Sequence, residues 1–295
     1  MKKIGFIGLG HMGNPMVHNL LKAGFQVYVY DMVTAAAEIL TKAGAIAVTS
    51  VAEIAKQAEV IITSVQTGQQ VKELCLGEQG LFAQAKANAL FIDCSSIEMT
   101  TTRELHALAI KQNIAMLDAP VSGGVSGAAA ATLTFMVGGT LENFQRAEPI
   151  LSAMGKKIIH AGTAGNGQAA KICNNLLLGI SMIGVCEAFS LAKKLGLEQK
   201  TFFDISSNAS GQCWSMTSYC PIPNIIANSP ANHDYAPGFM AKMMLKDLRL
   251  GQHAAEAVNA AIPLGAVAAE LYELFVNQGG GELDFSGIVK MLGES

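Results

Sequence analysis

Short apolar runs alternate with longer amphipathic stretches through the first half of the chain, and in the second half the short runs disappear. Residues 4–7, 27–30, 60–64, 90–93 and 115–118 are brief, mostly apolar runs that end near Gly, Ser or Asp. Between them lie stretches with helical spacing, such as 101–112. Strand and helix signals in alternation predict a parallel sheet covered on both faces. Residues 134–138 and 158–161 read as closing strands around a helix over 141–154, so the first domain spans 1–163.

Residues 165–195 read as one long helix between two halves of the chain. Residues 172–186 carry no charge, and the segment is apolar on nearly every side, which predicts a helix buried by the fold rather than a membrane span. Residues four apart share a helix face, so Gly167, Lys171, Asn175 and Gly179 fall in one row. The two glycines are expected to leave room for a ligand beside the lysine and the carboxamide. Beyond this helix the patterns at 199–207, 239–258 and 264–276 are helical, with Pro263 suited to a helix start, and 220–237 with its four prolines reads as a long loop. The second domain, 164–295, is therefore expected to be all-helical.

A length of 295 residues suits two domains. With 51% hydrophobic and 15% charged residues and a net charge of -3, the chain offers no basic surface for nucleic acid and no polybasic tract for acidic lipid. The six cysteines form no CxxC pair, which fits reduced thiols and a cytoplasmic location. The scattered histidines lack metal-ligand spacing, so no metal site is expected. Residues 4–9 are interrupted by glycine before any cleavage site and read as a first strand, not a signal peptide.

The first strand runs into Gly8-Leu9-Gly10-His11-Met12-Gly13 and a helix, and the second strand ends at Asp31. In such a unit Gly8 makes the tight turn, Gly10 admits the pyrophosphate and Gly13 lets helix and strand pack closely. Asp31 is placed to accept hydrogen bonds from the adenosine ribose and to repel a 2′-phosphate, which favours NAD over NADP. Ligands of such sheets lie beyond the carboxyl ends of the strands, which places Val65, Gln66, Ser95 and Ser96 at the cofactor rim. Ser122-Gly123-Gly124 offers a hydroxyl and successive amides to a carboxylate, although on composition alone a flexible loop is the simpler reading. Lys171 is either catalytic or a snorkelling or salt-bridged lysine at a helix start. Lys242, Lys246 and Arg249 read as a solvated face, and Met240, Met243 and Met244 as core or subunit contact.

Taken in order, residues 6–16, the stretch Asp118-Ala119-Pro120-Val121-Ser122-Gly123-Gly124, the pattern Gly165-x-Gly167-x-x-x-Lys171-x-x-x-Asn175, and Lys246-Asp247 resemble the motifs of the β-hydroxyacid dehydrogenases. Residues 210–215, with Trp214, are similar to the 3-hydroxyisobutyrate branch of that family. The resemblance implies a Rossmann domain that binds NAD, a helical domain that forms a homodimer or homotetramer, and a place in valine breakdown. It implies Lys171 as general acid and base with Asn175 beside it. Ser122, Gly123, Gly124 and Trp214 would contact a short 3-hydroxy acid. Gly8, Leu9, Gly10, His11, Met12, Gly13, Asp31, Val65, Gln66, Gln70, Ser96 and Lys246 would contact the cofactor. Relatives acting on tartronate semialdehyde share these motifs, and a module that only binds NAD would need neither Lys171 nor the Ser122 loop.

Overall fold

The computed structural model describes residues 2–293. Its chain divides into two compact units, Met1–Lys171 and Ile172–Ser295. In the first, strands β1 (Lys3–Ile7), β2 (Gln26–Tyr30), β3 (Ile46–Ala47), β4 (Val60–Thr63), β5 (Leu90–Asp93), β6 (Ala115–Asp118), β7 (Val121–Ser122), β8 (Leu133–Gly138) and β9 (Gly155–Gly162) form one sheet among the described residues. The order β3-β2-β1-β4-β5-β6 is all parallel, and the chain reverses direction across the sheet between β1 and β4. β8 then joins β6 antiparallel, with β7 antiparallel and β9 parallel to it, so the far edge of the sheet is mixed.

The apolar runs lack a polar side because both faces of the sheet are covered. Val60, Ile62, Leu90 and Ile92 pack into one core with Met16, Val17 and Leu20 of the helix Gly13–Lys22. Their alternate neighbours Ile61 and Phe91 pack into the other, with Ile54 of the helix Val51–Gln57 and Leu105 of the helix Met99–Lys111. The segment that composition reads as a flexible loop is built structure: β7 pairs Val121 with Phe135 and Ser122 with Thr134. Gly123 and Gly124 then take φ values of +132° and +63°, which residues with a Cβ rarely adopt, and open the helix Gly124–Ala129.

The second unit is helical. The helix Asn166–Lys194 runs out of the first unit and supplies Met182, Cys186 and Phe189 to a second core, where they meet Met244 and Leu248 of Ala241–Val258 and Tyr272 of Pro263–Asn277. By length and apolar composition this helix could cross a membrane, but these fully buried residues make it the core helix of its unit. The expectation of burial on nearly every side is corrected: Leu177 and Leu191 are 66% and 58% exposed, because one stripe of the helix faces away from the core. Lys242 pairs with Glu282 and Arg249 with Glu273, both at the surface. Among the described residues all six cysteines are free thiols.

Candidate active site

The glycine turn after β1 has three different steric environments. Gly8 has φ +91°, and a Cβ there would lie 2.3 Å from the Ser64 carbonyl oxygen; on Gly13 it would lie 1.9 Å from that of Gly8. Both positions are closed to side chains by backbone. At Gly10 a Cβ would meet nothing within 4 Å. The turn is thus tight where it must pack and open where a pyrophosphate would approach the start of the helix Gly13–Lys22. Asp31, at the end of β2, accepts from Leu9 N at 2.7 Å through Oδ2 and from Val33 N at 2.8 Å through Oδ1. These bonds tie the turn to the next strand and leave each carboxylate oxygen a further lone pair for ribose hydroxyls. Met32 and Val33 are exposed and uncharged beside it. His11 is exposed and Met12 half-buried.

The strand ends next to this turn form a continuous polar row. In the sheet register Thr63 lies opposite Asp93, and Asp93 opposite Asp118. Asp93 Oδ1 accepts from Thr63 Oγ1 at 2.8 Å and from Ser95 N at 3.1 Å, while Ser95 Oγ accepts from Val65 N at 3.0 Å. Burial pushes the Asp93 carboxyl up to about 6; the bonds from Ser95 and Thr63 oppose the rise and the Asp118 carboxylate adds to it. Its Oδ2 has no hydrogen-bond partner among the described residues. Gln70 Oε1 accepts from Gln66 N and Thr67 N in a capping box at the helix Gly68–Cys75, so this side chain shapes the Gln66 rim. Ser96 is half-buried.

Asp118 lies at the start of the long helix. Its Oδ1 accepts from Gly165 N at 2.9 Å and its Oδ2 from Gln168 N at 3.0 Å, and His106 Nε2 lies 3.0 Å from Oδ1. A carboxylate there satisfies amides that a helix cannot pair internally and is favoured by the helix dipole. Gly167 makes this approach possible: a Cβ would lie 2.4 Å from the Met136 carbonyl oxygen and 2.6 Å from that of Asp118. The expectation that Gly167 and Gly179 leave room for a ligand is therefore corrected. Backbone fills the space at Gly167, and Leu248 and Met244 fill it at Gly179, so both glycines serve close packing.

One turn along, Lys171 is half-buried and Nζ donates to the Val121 carbonyl oxygen at 2.8 Å. That bond brings its ammonium to β7, directly before Ser122, Gly123 and Gly124. In the second unit Asn175 is 1% exposed; its Nδ2 donates to Asp247 Oδ2 at 2.5 Å and its Oδ1 accepts from Asn174 Nδ2. Lys246 Nζ lies 3.6 Å from Asp247 Oδ1. Trp214 is 49% exposed and stacks on Tyr219, whose hydroxyl donates to the buried Asp284.

Of the buried polar residues in these networks, Asp93 and Gln168 are not among the site residues expected from the sequence, while Asp118 and Asp247 appear there only as motif members with no role of their own. For the two strand-end aspartates a signal is present, since a carboxylate closing an otherwise apolar strand must find donors.

The strand order, the reversal between β1 and β4, and the glycine turn at that point define a dinucleotide-binding protein. Residues 3–162 match the family model described as the NAD binding domain of 6-phosphogluconate dehydrogenase, and residues 165–292 match that described as the NAD-binding of NADP-dependent 3-hydroxyisobutyrate dehydrogenase. The NAD-dependent L-serine dehydrogenase of Pseudomonas aeruginosa is 47% identical over 99% of this chain and 98% of its own. The 3-hydroxyisobutyrate dehydrogenase of the same organism is 45% identical over 99% and 98%. The solved structure of the Mycobacterium tuberculosis 3-hydroxyisobutyrate dehydrogenase with L-serine has a TM-score of 0.94 and 45% identity, covering 99% of both chains. The chain belongs to the 3-hydroxyisobutyrate dehydrogenase family of NAD-binding oxidoreductases.

Proposed function

We propose that this chain catalyses the reversible oxidation of the primary alcohol of 3-hydroxyisobutyrate to methylmalonate semialdehyde, with NAD as acceptor and Lys171 as general base. The observation that carries this reading is the Lys171 to Val121 bond, which fixes an amine beside Ser122 and the positive-φ bend of Gly123 and Gly124. The substrate carboxylate binds at that bend, on the Ser122 hydroxyl and the amides of Gly123 and Gly124. Lys171 takes the hydroxyl proton in oxidation and returns it in reduction. Bound NAD would supply a hydride acceptor for the carbon that carries the hydroxyl, so that this alcohol would leave as an aldehyde. Gly8 to Gly13 and Asp31 hold the dinucleotide, with Val65, Gln66, Gln70 and Ser96 at its rim. Asn175 keeps the helix face beyond Lys171 in place through Asp247.

A second reading, L-serine as substrate, is favoured by the L-serine dehydrogenase name of the 47% identical relative and by the L-serine that accompanies the Mycobacterium structure. The two acids share the carboxylate and the primary alcohol and differ in methyl against ammonium at carbon 2. Turnover of 3-hydroxyisobutyrate, 3-hydroxypropionate, glycerate and L-serine, each with NAD and NADP, separates them. Highest kcat/KM for 3-hydroxyisobutyrate supports the first reading and its valine-breakdown role. Highest kcat/KM for L-serine supports the second, and NAD binding without any turnover leaves only a cofactor-binding module.

We also propose that residues 1–163 bind NAD and that the helical part, 164–295, assembles a homodimer or homotetramer. Exposed Leu177, Leu191, Leu264 and Val267 support an apolar contact. A light-scattering mass of one 30.9 kDa chain at micromolar concentration overturns it.

A further inference from the structure

We propose that Gln168 is a positioning residue that couples the cofactor rim to the substrate-binding bend. It is fully buried, and its polar atoms reach two other segments, the one that follows β5 and the end of β6. Oε1 accepts from Ile97 N at 3.2 Å, Nε2 donates to the Ser95 carbonyl oxygen at 2.6 Å, and the backbone N donates to Asp118 Oδ2 at 3.0 Å. Ser95 in turn holds Val65 through Oγ and Asp93 through its amide. On the other side, Gln168 stands in the first turn of the helix whose next turn carries Lys171 and its bond to Val121.

A buried carboxamide is costly unless both of its ends are paired, so an apolar side chain would fill this position with less penalty if packing were its only task. Here both ends are paired, and both partners lie on the segment that follows β5 and forms the cofactor rim. Its side chain and backbone together link that segment, the start of the long helix and Asp118. A shift of Ser95 on cofactor binding therefore reaches the helix start, and with it Lys171 and the Val121 to Gly124 bend. The inference rests on the proposed placement of NAD and substrate, and it adds that the two ligands bind with positive coupling through this residue.

The test is binding without turnover. The affinity of isobutyrate, which has the substrate carboxylate but no hydroxyl, is measured on the full chain with and without saturating NAD, for the parent and Gln168→Met. In the parent NAD should strengthen isobutyrate binding about 5-fold or more, and in Gln168→Met the ratio should fall close to one. A residue needed only for packing would lower the melting temperature and leave that ratio unchanged. If Gln168→Met is unfolded, Gln168→Glu at alkaline pH carries the same test, because its carboxylate accepts from Ile97 but cannot donate to Ser95. A parent ratio of one, or a parent-like ratio in a folded variant, overturns the proposal. Since Lys171 is intact throughout, its failure as a base would leave this result unaffected and would show instead in the kinetics of the Lys171 variants.

Discussion

Lys171 Nζ donates a 2.8 Å hydrogen bond to the carbonyl oxygen of Val121, the residue directly before Ser122. A lysine has four rotatable bonds and ordinarily keeps its ammonium in water. Here the side chain is half-buried and its head is set against a two-residue strand that leads into the Gly123 and Gly124 bend. The start of the helix that carries Lys171 is held by Asp118, whose carboxylate accepts from the amides of Gly165 and Gln168.

The glycine turn makes opposite forecasts for two neighbouring substitutions. Gly13→Ala drives a Cβ into the Gly8 carbonyl, which should cost about 1 to 3 kcal/mol of stability. Gly10→Ala has open space around it, so the fold should melt as the parent does while NAD binding weakens about tenfold or more, about 1.4 kcal/mol. Melting curves and NAD titrations of both variants check this; parent-like NAD affinity in Gly10→Ala would remove the pyrophosphate from this turn.

Asp31 should favour NAD over NADP, since a carboxylate repels a 2′-phosphate and neither Met32 nor Val33 supplies a cation. Asp31→Asn should narrow the ratio of kcat/KM values for the two cofactors, at some cost to the turn, because one amide-accepting oxygen is replaced by a donor. Equal efficiency with both cofactors in the parent contradicts the assignment.

Asn175 and Asp247 should behave as a coupled pair. Asn175→Leu leaves a buried carboxylate short of its donor and should cost about 1 to 3 kcal/mol. Adding Asp247→Leu should recover part of that loss, so the double variant is more stable than the sum of the singles. Additivity within about 0.5 kcal/mol in denaturant unfolding would show that the pair carries no interaction.

Asp93 should make stability depend on pH. Its folded value of about 6 lies above the ordinary carboxyl value of 3.8, so the folded chain holds this proton more tightly than the unfolded chain. The resulting stability is present in full below the unfolded value and is lost as pH rises from about 4 to about 6, up to about 3 kcal/mol. Asp93→Asn keeps an acceptor for Thr63 and Ser95 but cannot ionise. Its stability relative to the parent should rise across that window and level off above it; a flat or falling difference contradicts the shift.

Much of the fold and the site is legible in the sequence because the responsible residues leave steric traces. Gly8, Gly13 and Asp31 can be read because a tight turn, a close approach and a strand-end carboxylate each demand a particular residue at a particular spacing. The mixed sheet edge is less legible: β7 is two residues long beside a glycine pair, too short for any periodicity. Gly167 misleads because a missing side chain looks the same whether ligand or backbone fills the space. Asp93 and Asp118 acquire their meaning only when the sheet register sets them side by side, and Gln168 reads as a spacer until folding brings Ser95 and Ile97 to it.

Whether Lys171 moves the proton of the substrate hydroxyl is decided by the kinetics of Lys171→Arg. Arginine keeps the positive charge but does not release a proton near neutral pH. General acid and base groups contribute about 100-fold to 10,000-fold, so Lys171→Arg and Lys171→Ala should both lose about 3 to 5 kcal/mol of transition-state stabilisation while their NAD affinity stays close to the parent's. A Lys171→Arg enzyme that turns over 3-hydroxyisobutyrate or L-serine within a few-fold of the parent would contradict the proton-transfer role.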